Sequence, residues 1–93
     1  MKEQENWIRR LTDAADLRGE PVPRMPLVEI LGDERVLIEN HFGITQYSSC
    51  EICVKVKFGQ AQIVGCHLRI ARMTRDQLVI VGKIDGVNLY KGR

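Results

Sequence analysis

Aromatic side chains are scarce in this 93-residue chain: one Trp, two Tyr and two Phe, 5% in all. Proteins that grip single-stranded nucleic acid on a β-surface stack bases on exposed aromatics. Only Tyr47 and Tyr90 are placed to serve here, which weighs against nucleic acid as the partner. Long apolar runs are missing too. None approaches the ~18 residues needed to cross a bilayer, and the charged start, Met1 to Glu5, leads into no apolar stretch of the signal-peptide kind. The expected location is therefore the cytoplasm, with no transmembrane segment.

Cysteine is limited to Cys50, Cys53 and Cys66. Cys50 and Cys53 have the C-x2-C spacing of structural zinc sites, and His67 follows Cys66. On an alternating strand, however, residues three apart face opposite ways. The simpler reading makes Cys50 a small core residue and leaves Cys53 and Cys66 as reduced thiols. No metal ligands or cofactor are expected. A redox C-x2-C would need a helix N-terminus to activate a thiol, and no helix is predicted there. No serine or cysteine sits in a nucleophile elbow, and no Gly-rich loop joins a strand to a helix. His41 falls in a polar turn, and His67 begins a strand. No catalytic residue is nominated, and the expectation is a protein that is not an enzyme.

What the chain does contain is enough for one domain, 1–93, with a thin core. Hydrophobic residues make up 44% and charged residues 28%, a globular balance. The net charge of +2 is unevenly spread. Acidic residues dominate through Glu51, whereas Lys55, Lys57, Arg69, Arg72 and Lys83 follow with little to offset them. Such a basic strand face would suit phosphates, and it is kept as the alternative function.

Residues 3–17 predict a short amphipathic helix. Trp7, Ile8, Leu11, Ala14 and Ala15 form one stripe of a 3.6-residue period. Gly19 is a stop signal, and residues 19–26 hold all three prolines, an extended connector. So short a helix needs something to dock on, either its own sheet or a partner, through Trp7, Ile8 and Leu11.

From Leu27 to Tyr90 the period is two. Cys50, Ile52, Val54, Val56 and Phe58 alternate with polar residues or Cys53, predicting a half-buried strand. Further strands are expected at Leu27–Leu31, Arg35–Glu39, Ile44–Tyr47, Gln60–Val64, His67–Arg72, Leu78–Gly82 and Val87–Tyr90. Turns separate them, among them one at Asp85-Gly86. The fold class is mainly β with one N-terminal helix: an antiparallel meander or sandwich, or a small barrel. Short strands closed by glycine, as at Ile63-Val64-Gly65 and Val79-Ile80-Val81-Gly82, keep a β-solenoid-like stack as the alternative.

Three segments carry a resemblance. Ile38-Glu39-Asn40-His41-Phe42-Gly43-Ile44, then Ile63-Val64-Gly65-Cys66-His67-Leu68-Arg69-Ile70, then Leu78-Val79-Ile80-Val81-Gly82-Lys83-Ile84 resemble, in order and spacing, the YabP/YqfC family of sporulation proteins. Short length, helix and Pro-rich connector look most like its YqfC branch. The resemblance implies a non-enzymatic protein made in the mother cell and needed for efficient endospore formation. It carries over no catalytic or ligand residue. Asn40 and Gly43 suit a tight turn with positive φ, and Gly65 and Gly82 suit bulges or close backbone approach. Function would then reside in a surface that meets a protein partner, such as a membrane protein of the forespore envelope, leaving the protein peripheral to that membrane. A self-pairing edge strand would allow homo-oligomers.

Overall fold

The computed structural model describes residues 25–92, and the predicted helix over 3–17 lies outside them, as does most of the connector. Six strands follow in order: β1 (Leu27–Leu31), β2 (Arg35–Glu39), β3 (Ile44–Tyr47), β4 (Glu51–Val56), β5 (Gly59–Met73) and β6 (Gln77–Lys91). They form one antiparallel sheet of order β1-β2-β6-β5-β4-β3. The solenoid alternative is excluded, because a solenoid stacks its rungs in parallel and every pairing here is antiparallel.

The first three strands have the bounds expected from alternation. The last two do not: the segments expected as four short strands are two of fifteen residues each. Asp85-Gly86 is no turn. Val64 pairs with Gly86 and Gly65 with Ile84, so Asp85 is an extra residue bulged from β6. Likewise His67 and Leu68 together oppose Gly82, and Ala71 is unpaired between Ile70 and Arg72. A bulge shifts the alternation by one and bends the strand. In sequence such a break imitates a strand end, whereas in the hairpin the hydrogen-bonded ladder resumes beyond it.

The bulges bend the sheet around its apolar face. Val36 and Ile38 of β2, Ile52, Val54 and Val56 of β4, Ile63 of β5, and Leu78 and Ile80 of β6 are essentially inaccessible and share one cluster. β2 and β4 are separated by β6 and β5 in the sheet, so a flat sheet would leave this face wet. Each such side chain contributes about 1.5–3 kcal/mol by leaving water. One half of the fold is β1, β2, the first part of β6 and the end of β5. The other half is β3, β4, the start of β5 and the end of β6.

Residues 40–43 strap the halves together. Asn40 takes φ 62° and Gly43 φ 119°, as expected of these residue types in a turn. The Asn40 N–H donates to Asp76 O at the β5–β6 tip, while the Phe42 N–H donates to Lys55 O on β4.

Candidate functional site

His41 is buried in that strap, and its ring ties the strap to the β5–β6 tip. Nδ1 accepts from the Gly43 N–H at 3.0 Å, and Nε2 pairs with Thr74 O at 3.0 Å. A carbonyl only accepts, so Nε2 carries the proton and the ring is neutral. This histidine is a buried tie within the polar turn expected, because the strap crosses over the hairpin tip instead of leaving the sheet.

The cysteines reverse their expected places. Cys50 is exposed and Cys53 is buried. The Ser48 hydroxyl accepts from the N–H groups of Cys50 and Glu51, drawing Cys50 into the β3–β4 turn. Cys53 lies on the outer face, in register between Gln46 and Gln62. Both glutamines donate to Glu51, and Asn88 and Tyr90 donate to Gln62, so a polar row roofs the thiol. Burial, then the hydrogen bond and charge of Glu51, push the Cys53 thiol above its ordinary value. Among the described residues no three of His, Cys, Asp and Glu converge to hold a metal ion.

The basic residues expected as one stripe are divided. Lys55 lies on the outside of β4, and Lys57 is in the β4–β5 turn. Arg69 and Arg72 lie on the outer face of the other half, in register with Val81 and Val79, and Lys83 pairs with Cys66. Trp7, Ile8 and Leu11 lie outside the described residues.

A surface that alternation did not reveal lies on that same half. Register places Leu27, Glu29 and Leu31 of β1, Arg35 and Leu37 of β2, and Val79 and Val81 of β6 on its outer face. Leu31, Leu37 and Val79 line one shallow groove with Glu29 and Arg35, and Leu31 and Val81 line the next with Glu34, Arg35 and Arg69. Leu31 is 64% exposed and Leu27 44%. Arg35 and Arg69 flank Val81 from either side. The sequence signal was the absence of alternation in Val36-Leu37-Ile38 and Leu78-Val79-Ile80-Val81. Unbroken apolar runs mark strands meant to be covered on both faces.

Comparison with known proteins gives these features a context. The model of the YabP family matches residues 24–93. The chain belongs to the YabP family. It is also 29% identical over 77 residues, 83% of each chain, to a Bacillus subtilis (strain 168) protein named "Uncharacterized protein YqfC". No solved structure matches. The family match begins beside β1 and covers the whole sheet, including the strap and both bulge glycines.

Proposed function

We propose that the protein is a non-enzymatic interaction module of sporulation, acting in the mother cell of an endospore-forming bacterium. Membership of the YabP family, with its likeness to YqfC, supports the process. The solvent-facing apolar floor at Leu31, Leu37, Val79 and Val81 carries the mode of action, since a sheet face of this kind is stable when another surface covers it. Its partner is a protein, and a membrane protein of the forespore envelope is the kind to look for first. No helix among the described residues is long and apolar enough to cross a membrane, so a peripheral place would come through that partner. Trp7, Ile8 and Leu11 supply the other half of the docking surface in this reading.

The test is the heat-resistant spore count of a strain lacking the gene, complemented with the native chain, with Trp7→Ala or with Leu31→Asp. A fall restored by the native chain and by neither variant is expected. Full restoration by both variants would sink the docking surface, and an unchanged count in the deletion strain would sink the process. Arg35, Arg69 and Arg72, which outnumber Glu29 and Glu34 beside the floor, support a second reading, nucleic-acid binding on this face. There affinity for a mixed-sequence oligonucleotide would fall steeply with salt, while apolar docking would hold.

A further inference from the structure

The outer face of β1, β2 and β6 poses a physical question that the buried face does not. Leu37, Val79 and Val81 stand in the two inner strands of their half, yet remain partly open to solvent. Across the fold, the outer face of β4 and β5 is finished with polar side chains, the row from Gln46 through Glu51 and Gln62 to Asn88. One outer face is closed by linked polar side chains, whereas the other keeps apolar side chains at its centre among charged ones.

We propose that the chain's own N-terminal segment, residues 3–17, covers this face by seating Trp7, Ile8 and Leu11 on Leu31, Leu37, Val79 and Val81. The inference deepens the docking role given above to those three residues. Its test reads the isolated protein, so it can fail while the sporulation role stands.

Three observations argue for this occupant. The first is where the segment joins. Asn40 Nδ2 donates to Met25 O at 2.9 Å, holding the chain beside the end of β2, and Leu27 then opens β1 on the apolar face itself. The second is reach. Eight connector residues, 19–26, span up to about 26 Å when extended, while β6 lies two strand spacings from β1, about 10 Å. A fifteen-residue helix is about 22 Å long, enough to lie over this half of the sheet. The third is shape and charge. The stripe is apolar on one side only, matching a floor that is apolar on one side only. Residues 3–17 carry Glu3, Glu5, Asp13 and Asp16 against Arg9 and Arg10, a negative balance, whereas Arg35, Arg69 and Arg72 around the floor outnumber Glu29 and Glu34. A protein partner would compete with the segment for the floor.

Trp7 is the single tryptophan, so its fluorescence reports its surroundings without labelling. In the full-length protein, blue-shifted emission and acrylamide quenching severalfold weaker than in urea are expected, both unchanged on dilution. Val79→Asp, and the milder Leu31→Asp at an exposed site, should shift the emission red and restore quenching while the far-ultraviolet β signal stays native. Leu89→Asp, on the other half, should leave the emission alone. Emission already solvent-like in the native chain would overturn the proposal. Protection lost on dilution would overturn it in favour of a second copy as the occupant. Protection insensitive to both floor variants would overturn the location.

Discussion

Gly65→Ala tests the idea that the bent hairpin depends on close backbone approach. A Cβ at Gly65 would lie 1.9 Å from the Lys83 carbonyl oxygen, 3.0 Å from its carbon and 3.2 Å from the Asp85 nitrogen. All three are backbone atoms of β6, so no side chain can swing aside. Ordinary contact begins at 3.4 Å, and the strands must separate locally by about 1.5 Å. Overpacking of this kind costs about 1–3 kcal/mol. Each ladder hydrogen bond lost beside the bulge adds about 1 kcal/mol. A total near 3 kcal/mol lowers the melting temperature by roughly 12–24 °C for a domain of this size. Gly32→Ala is the control: Gly32 has φ +55°, but a methyl group there would meet nothing within 4 Å, so it bears only the left-handed penalty of about 1–2 kcal/mol. Urea and thermal unfolding of the two variants give the comparison. If Gly65→Ala proves no more destabilising than Gly32→Ala, the close-approach argument is wrong.

Replacing His41 with alanine strands the Gly43 N–H and the Thr74 carbonyl, so a loss of about 2–4 kcal/mol is expected in urea unfolding; a loss below about 1 kcal/mol would show the strap does not need its tie. In the native protein iodoacetamide should modify Cys50 and Cys66 and spare Cys53, with the third label appearing only in denaturant; mass spectrometry counts the labels, and equal labelling of all three would refute the polar roof. The raised Cys53 pKa gives a signed pH effect: its stabilising contribution is complete below the ordinary value of 9.0 and is lost as pH rises through the folded value. Stability measured between about pH 8 and the folded value should therefore fall less in Cys53→Ser than in the native chain. Ile63→Ala, at a fully buried position, should cost about 2–5 kcal/mol, read as an earlier urea midpoint.

Several local features were legible from residue order. Alternation places β1, β2 and β3 at their observed bounds, and the glycines at 43, 65 and 82 stand where positive φ or close approach occurs. Alternation misplaces Cys50 because Ser48, three residues before Glu51, turns the chain there. The burial of Cys53 depends on Gln62, which reaches over from β5 to Glu51, eleven residues away in the chain. Nothing in the pattern around Cys53 announces that reach. His41 gives the same lesson: its partner Thr74 is thirty-three residues away, so no local pattern could distinguish a solvated turn histidine from a buried tie.

By itself the sequence determined strand content and several of the positions where the backbone turns or approaches closely. These depend on side-chain volume, branching and periodicity within a few residues, which act before any distant contact forms. Tertiary structure decided the rest: that four apparent strands are two long ones, that the basic residues are parted between halves, and that Leu37, Val79 and Val81 form one outer floor. Those outcomes follow from pairing register across β1, β2, β6 and β5. A single bulged residue there exchanges the inner and outer faces of everything beyond it.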